Sequence, residues 1–253
     1  MYASVVSRPL ILISCWRRDL PTYLGERTRL ETLDPAYAER VSAAGGQPLL
    51  LSRPPSAGDQ SATELVDLAD GVLLSGGGDV DPAAYGVARE NVADEDAGAD
   101  QFELEIIRAA RAVQLPTLGI CRGAQLLAIA HDGALTQRPP AVNGHTELTG
   151  LSPDEILRAR HPVTITPGSR VARALRRDTL PVNTIHHHQI ADPGELEITA
   201  TAPGGVIEAI EPRTGWACVG VQWHPEKMHE PEQRGLFEQL VSDARAHRRR
   251  AVA

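Results

Sequence analysis

The 253-residue chain lacks any apolar run as long as a membrane-spanning helix, which needs about 18 consecutive apolar residues or more. The apolar run Leu10–Trp16 is short, and arginines follow it instead of preceding it, unlike the arrangement of a secretory signal peptide. An excess of positive charge is also lacking. The formal net charge is −8, so neither a nucleic acid nor an anionic membrane is favoured as a partner. We therefore expect a cytoplasmic protein.

Cysteine is scarce as well, and its placement excludes two common roles. Cys15, Cys121 and Cys218 are odd in number and widely spaced, which matches neither a disulfide framework nor a CxxC zinc site. Such a pattern is typical of a reducing compartment. Cys15 and Cys218 lie in apolar, strand-like runs and are interpreted as small core residues.

Composition predicts one globular domain that covers residues 1–253. The hydrophobic share of 42% and the charged share of 23% are those of a soluble globular protein, and the length is sufficient to bury one core. No internal repeat, low-complexity segment or linker interrupts the chain.

Strand and helix patterns alternate through the first half of the chain. Asp34, followed by proline, supplies an N-cap for one helix, and Asp100 with Glu103 resembles a capping box for another. This alternation predicts an α/β fold with a mostly parallel central sheet and helices on both faces. The other elements expected here are the strands "RPLILIS", "QPLLL" and "GVLLSGGGD" and a short helix at Ser61–Asp70.

The second half of the chain has a different pattern of predicted elements. Residues 136–160 are polar and are predicted to form a long loop. Short strand patterns with turn signals follow and predict a small antiparallel region, before a final helix from Pro231 to about His247. The strand patterns are "HPVTITPGS", "VNTIHHHQI", "LEITATAP", "VIEAIEP" and "ACVGVQWHPE".

The segment "LPTLGICRGAQLLAIA" changes from strand to helix at Cys121. The run Leu115–Ile120 predicts a buried strand, and helical spacing begins at Gln125. The sequence G-x-C-x-G at the junction is the cysteine counterpart of the nucleophile elbow, in which a sharp turn lifts the side chain clear of the sheet. A Cβ at either glycine would collide with backbone, and the helix dipole would stabilise a thiolate. An ordinary buried cysteine in a tight turn is the alternative.

A base and an orienting group for such a cysteine occur in "VGVQWHPE". His224 stands at the carboxyl end of a predicted buried strand, and Glu226 points to the same side in extended chain. Active sites of open parallel sheets form at the carboxyl ends of strands, so His224 and Cys121 are predicted to meet there. The alternative is a strand-end histidine that only solvent contacts.

The glycine-rich stretch "LLSGGGDVDP" is a third candidate. It contains neither a GxGxxG fingerprint nor a phosphate loop, so nucleotide binding is not favoured. Three glycines after a strand let backbone amides approach a substrate closely, as an oxyanion hole requires. A plain turn is the alternative.

Three consecutive histidines, His186 to His188, raise the question of a metal site. In a strand, His186 and His188 would share one face, with His145 or His161 as a third ligand. A polar wall beside the cysteine is the more economical interpretation, so no metal is assigned.

Four segments resemble, in this order, the signature segments of the class I glutamine amidotransferase-like superfamily. Within it, "GICRGAQ" is most similar to the γ-glutamyl-γ-aminobutyrate hydrolase family, because glutaminase subunits more often carry a leucine after the cysteine. The resemblance covers nearly the whole chain and implies the flavodoxin-like fold of that superfamily. The segments are "LLSGGGD", "GICRGAQLL", "VNTIHHHQI" and "VGVQWHPE".

The resemblance implies roles for single residues. Cys121 would be the nucleophile, His224 the general base and acid, and Glu226 the residue that orients the histidine. The backbone amides of Gly77 and Arg122 would form the oxyanion hole. The residues implied to line the γ-glutamyl pocket are Gln125, His186, His187, His188 and Gln189.

Three departures from the family pattern concern the leaving-group side of the substrate. The family pattern "VNSxHHQA" has become "VNTIHHHQ", which places His188 where a glutamine is usual. His131 and Asp132 stand where small or apolar residues are usual, and the loop after Gln137 differs as well.

The sequence thus predicts a cysteine hydrolase that cleaves a γ-glutamyl amide through a thioester, without a metal or organic cofactor. Its partner is a small-molecule substrate, and a homodimer is compatible with this prediction. One alternative is a glutaminase subunit that delivers ammonia to a separate synthetase chain. Another is a non-catalytic binding protein on the same fold, against which the intact Cys-His-Glu set argues.

Overall fold

The computed structural model describes residues 8–53, 59–138, 150–213 and 215–251. The strands are β1 Leu10–Ser14, β2 Trp16–Thr22, β3 Gly25–Thr32, β4 Gln47–Leu51, β5 Gly71–Leu74, β6 Thr117–Ile120, β7 Ala134–Thr136, β8 Arg160–Ile165, β9 Thr179–Asn183, β10 Gln189–Asp192, β11 Glu197–Thr201, β12 Ile207–Glu211 and β13 Cys218–Val221. The helices are α1 Pro35–Ala43, α2 Asp59–Asp67, α3 Ala97–Ala112, α4 Arg122–Ile129, α5 Pro153–Arg158, α6 Arg170–Leu175 and α7 Arg234–Ala251.

The central sheet has nine strands in the order β4-β1-β5-β6-β13-β12-β11-β8-β9. The first five strands in this order, β4, β1, β5, β6 and β13, are parallel to one another. The remaining four, β12, β11, β8 and β9, continue the sheet with antiparallel pairing. The predicted fold class is confirmed. The antiparallel region predicted for the second half consists of β12, β11, β8 and β9, which extend the central sheet.

Helices cover both faces of this sheet, as predicted. On β1, Ile11 and Ile13 join a core shared with α1, α6 and α7, whereas Leu12 joins a core shared with α2, α3 and α4. This alternation follows from the opposite directions of successive side chains in a strand. No helix among the described residues is both long enough and apolar enough to cross a membrane.

A local capping signal located the start of α1. Asp34 caps α1 by accepting a hydrogen bond from the Ala36 N–H at 3.0 Å, with proline in the first turn. The capping box expected at Asp100 and Glu103 is wrong. Asp96 caps α3, and Asp100 and Glu103 lie buried inside this helix.

The loop expected over residues 136–160 is only partly correct. β7 ends at Thr136, and α5 begins after Ser152, whose side chain and that of Glu155 form a capping box. The positions from 139 to 149, including His145, lie outside the described residues. A hairpin of β2 and β3 was not predicted at all.

The strand expected through "VNTIHHHQI" is interrupted. β9 ends at Asn183, β10 begins at Gln189, and the three histidines lie in irregular chain between them. β10 leaves the central sheet and pairs with β7. His186 and His188 therefore do not share the face of a strand. The final helix begins after a short 3₁₀ turn at Pro231–Gln233 and extends beyond His247.

Candidate active site

The elbow around Cys121 is the junction of β6 and α4. Cys121 has φ 53° and ψ −106°, a conformation that residues other than glycine rarely adopt. An added Cβ at Gly123 would lie 2.4 Å from the Leu74 carbonyl oxygen, and one at Gly119 would lie 2.7 Å from the Gly123 carbonyl oxygen. Both glycines are required by close backbone contacts, as predicted. The Cys121 side chain is only 6% exposed, so it is less accessible than the motif suggested.

The start of α4 provides hydrogen-bond donors next to the cysteine. The first intrahelical bond runs from the Ala124 N–H to the Cys121 carbonyl at 3.0 Å. The N–H groups of Arg122 and Gly123 precede this bond and have no acceptor within the helix. They form the positive end of the helix dipole, next to Cys121. The side-chain amide of Gln222 also donates toward Sγ, at 3.7 Å.

β13 carries His224 to the same edge of the sheet. β13 is parallel to β6, and the Cys121 N–H donates to the Val221 carbonyl at 2.8 Å. His224 follows soon after, and its Nδ1 lies 2.7 Å from Glu226 Oε1. An added Cβ at Gly76 would lie 2.7 Å from His224 Cε1 and 3.5 Å from Cys121 Cβ. Cysteine, histidine and glutamate are thus brought together at one point of the sheet edge.

The charges around His224 favour its protonated form. Burial by itself would lower the pKa of His224, but the Glu226 carboxylate and the Cys121 side chain, to which the imidazole hydrogen-bonds, raise it well above its ordinary value. Because Nδ1 faces Glu226, Nε2 is the nitrogen that can exchange a proton with the cysteine. The arrangement places a protonated imidazole beside the Cys121 side chain.

Three supporting residues were not predicted. The Asn183 side chain bonds both the N–H and the carbonyl of His224, and Arg40 donates to the Glu226 carbonyl at 3.4 Å. Tyr37 accepts a hydrogen bond from the Gly76 N–H at 3.0 Å. Burial and the Glu226 carboxylate raise the pKa of Tyr37 well above its ordinary value, so its phenol stays protonated. These contacts could not be predicted from the sequence because Asn183 and Arg40 lie far along the chain from their partners.

The glycine loop after β5 packs closely against Trp16 and the backbone of Asp94. An added Cβ at Gly77 would lie 2.7 Å from Trp16 Cε3, and one at Gly78 would lie 2.1 Å from the Asp94 carbonyl oxygen. The Trp16 ring also contacts Arg122, whose guanidinium lies 4.6 Å from the centre of the ring. Residues with a side chain would not fit at Gly77 and Gly78. Backbone amides are therefore the groups that this loop can offer to a ligand.

The Arg122 side chain has a structural role that explains the misread capping box. Its guanidinium donates to Asp100 Oδ1 at 2.6 Å and to Glu103, and all three side chains are almost fully buried. These ion pairs join α3 to the start of α4. Because the Arg122 side chain is engaged in these ion pairs, it is the backbone N–H of this residue, and not its guanidinium, that could serve an oxyanion hole.

The predicted pocket residues divide into three groups. Gln125 donates to the His188 carbonyl at 3.3 Å, and Gln189 is half-buried at the start of β10. His187 and His188 both face Asp79, at 3.1 and 3.4 Å. His186 instead faces Glu208 on β12, at 3.6 Å.

The three-histidine metal hypothesis is therefore wrong in its grouping. His161 lies 3.4 Å from Glu208, which it shares with His186, whereas His188 belongs with His187 and Asp79.

The remaining thiols differ from Cys121 in their surroundings. Burial raises the pKa of Cys15 to about 11 and raises that of Cys218 further. Both are free cysteines without an activating imidazole in the described contacts. The core role predicted for Cys218 is confirmed, whereas Cys15 is only half-buried.

The unusual His131 is a packing residue at the end of α4. Its Nδ1 lies 2.8 Å from the Leu127 carbonyl, and its ring stacks on Trp216 with centroids 5.8 Å apart. Burial lowers the pKa of His131, so the ring is neutral in this setting.

A cysteine elbow on this sheet topology is the arrangement of class I glutamine amidotransferase-like proteins. A solved structure from Thermoplasma acidophilum, described as a "putative gmp synthase subunit a protein", has the same fold. Its TM-score is 0.65 at 14% identity, over 97% of this chain and 98% of that one. The chain belongs to the Peptidase C26 family, which matches residues 9–226.

Two curated relatives extend this result. "Gamma-glutamyl-gamma-aminobutyrate hydrolase PuuD" of Escherichia coli is 29% identical over 96% of both chains. "Putative glutamine amidotransferase Rv2859c" of Mycobacterium tuberculosis is 36% identical over 82% of this chain and 66% of its own length. Membership of this family implies a C–N hydrolase.

Proposed function

We propose that the protein hydrolyses a γ-glutamyl amide with Cys121 as nucleophile. The Cys121 thiolate attacks the γ-carbonyl carbon, and the electron pair of the carbonyl moves to oxygen. As the C–N bond breaks, the imidazolium of His224 gives its Nε2 proton to the departing amine. A γ-glutamyl thioester on Cys121 remains.

Water completes the reaction. Neutral His224 takes a proton from water, the resulting nucleophile attacks the thioester carbon, and the C–S bond breaks to release glutamate and the thiolate. Glu226 keeps Nδ1 protonated and stabilises the imidazolium. The aspartate has the same role in the catalytic triad of serine hydrolases. The N–H groups of Gly77 and Arg122 bind the oxyanion in both steps.

One observation carries this proposal: His224 lies between the Glu226 carboxylate, at 2.7 Å from Nδ1, and the Cys121 side chain. Thiol, imidazole and carboxylate in this order are what acyl transfer through a thioester requires. The relative PuuD, by its name, supports a γ-glutamyl amide as substrate. A thiolate nucleophile works in a reducing environment, so we infer a cytoplasmic enzyme with a small-molecule substrate.

The test is an assay of a panel of γ-glutamyl amines, with glutamine included. We expect glutamate and free amine in equal amounts, and no turnover by Cys121→Ala. Efficient turnover of glutamine alone, stimulated by a separate synthetase chain, would instead identify a glutaminase subunit. Absence of turnover on every amide would leave a binding protein.

A further inference from the structure

A carboxylate and two imidazoles meet between the glycine loop and the histidine segment. His187 Nε2 lies 3.1 Å from Asp79 Oδ2, and His188 Nδ1 lies 3.4 Å from Asp79 Oδ1. One ligand atom from each side chain lies within 4.8 Å of the other two. Asp79 and His188 are buried, whereas the His187 side chain is 44% exposed. The cluster is therefore accessible from solvent on one side.

The hydrogen bonding of His188 fixes the position of its proton. Nε2 faces the backbone carbonyl oxygen of Asn91, which can only accept a hydrogen bond, so Nε2 carries the proton. In a neutral imidazole, Nδ1 then carries a lone pair. This buried Nδ1 has no hydrogen-bond partner among the described residues and faces a carboxylate oxygen of Asp79. Two lone pairs at this separation repel each other unless a proton or a metal cation lies between them.

The separations suit a tetrahedral metal ion. Zinc bonds of about 2.0–2.1 Å to nitrogen and oxygen place neighbouring ligand atoms about 3.3 Å apart. The separations are 3.1 Å from His187 Nε2 to Asp79 Oδ2 and 3.4 Å from His188 Nδ1 to Asp79 Oδ1, so each imidazole faces a different carboxylate oxygen at close to this value. The outer contacts also match those of metal ligands, because Asn91 orients the His188 ring and the Ala93 N–H donates to Asp79 Oδ2 at 2.8 Å.

We propose that Asp79, His187 and His188 bind Zn²⁺ or a similar divalent transition metal, with a fourth coordination position open on the His187 side. Two imidazoles and a carboxylate are ligands that zinc takes in sites with one open position. The proposal concerns metal binding alone and does not depend on the hydrolytic activity. The cluster of His161, His186 and Glu208 is buried on all sides, so we assign no ion to it.

The test is titration of the chelator-treated full chain with ZnCl₂ by isothermal calorimetry. The Cys121→Ser variant serves as the parent, so that the thiol contributes no ligand. We expect one ion per chain. His188→Gln introduces the residue usual in the related family and should weaken binding by at least the ten- to hundredfold that loss of a supporting contact costs at metal sites. Asp79→Asn should do the same, and thermal unfolding checks that both variants fold.

The matched control is His229→Gln, which removes an exposed histidine elsewhere and should leave the affinity unchanged. Absorption of bound Co²⁺ provides an independent readout, since tetrahedral coordination gives visible bands that the two site variants should lose. Absence of stoichiometric binding would overturn the proposal. So would equal affinities in the parent, His188→Gln and Asp79→Asn, which would place the ion on other ligands.

Discussion

Asn183 holds the backbone of His224 from both sides. Its Nδ2 donates to the His224 carbonyl at 2.7 Å, and its Oδ1 accepts from the His224 N–H at 2.8 Å. Asn183 is fully buried at the end of β9, and His224 follows β13. The antiparallel part of the sheet thereby fixes a histidine that the parallel part supplies.

Asn183→Ala should therefore impair catalysis through position. We expect kcat to fall about ten- to a hundredfold with little change in KM, because a small displacement of the base is costly. The unpaired backbone groups should also cost about 1–3 kcal/mol of stability. Steady-state kinetics and the pH profile of iodoacetamide labelling of Cys121 provide the check. A variant that is less stable but has unchanged kcat and labelling would show that Asn183 is only structural.

Cys121→Ser and Cys121→Ala should abolish hydrolysis without unfolding the protein. Serine is nearly isosteric with cysteine, and neither change introduces an atom into the tight turn between Gly119 and Gly123. Hydroxyl oxygen cannot replace the thiolate at neutral pH. Turnover and thermal unfolding should be measured together. Retention of more than a few per cent of the activity by the alanine variant would contradict the mechanism.

His224→Ala and Glu226→Gln should differ in severity. His224 moves protons in both half-reactions, so its loss should cost nearly as much as loss of the cysteine. Glu226→Gln keeps a hydrogen-bond acceptor but loses the charge, and we expect a loss on the order of ten- to a thousandfold. The measurement is kcat for both variants. Full turnover in Glu226→Gln would leave a cysteine–histidine dyad.

The titration of His224 gives a separate test of Glu226. Because the carboxylate raises the pKa of His224, the wild-type ring should remain an imidazolium well above the ordinary histidine range. Glu226→Gln should lower the midpoint and slow iodoacetamide labelling at neutral pH. Histidine NMR over a pH series measures the midpoint directly. Equal midpoints in the two proteins would remove Glu226 from the charge balance of the site.

Gly123→Ala tests the packing of the elbow. The new Cβ would lie 2.4 Å from the Leu74 carbonyl oxygen, so backbone must move, and we expect a cost of about 3 kcal/mol or more. Gly86→Ala is the control. Gly86, unlike Gly123, has a positive φ of 73°, but an added Cβ there would meet no atom within 4 Å, so only the cost of the left-handed backbone, about 1–2 kcal/mol, is expected. Chemical denaturation of both variants decides the point, and equal costs would show that the elbow tolerates a side chain.

The parts of the site that could be predicted from sequence are those encoded locally. The change of period at Cys121 and its two glycines identify the elbow because strand, turn and helix occupy consecutive residues. His224 and Glu226 are separated by a single residue, so their contact is also local. The common edge at which Cys121 and His224 meet follows from the general geometry of parallel sheets.

The parts that could not be predicted depend on distant contacts. Asp100 and Glu103 have the spacing of a capping box, but their burial against Arg122 is decided by packing of α3 on α4. Asn183 gives no sequence signal of its contact with His224. The histidine segment has strand-like neighbours, yet His187 and His188 lie in irregular chain, where both face Asp79.

The most direct test of the account is to trap the acyl intermediate. The protein should be mixed with a γ-glutamyl amide that it turns over, quenched in acid within one turnover, and examined by intact-protein and peptide mass spectrometry. The account predicts a glutamyl adduct on the peptide that contains Cys121, lost on treatment with hydroxylamine and absent in Cys121→Ala. Release of glutamate at an undiminished rate by Cys121→Ala, or an adduct on another residue, would contradict it.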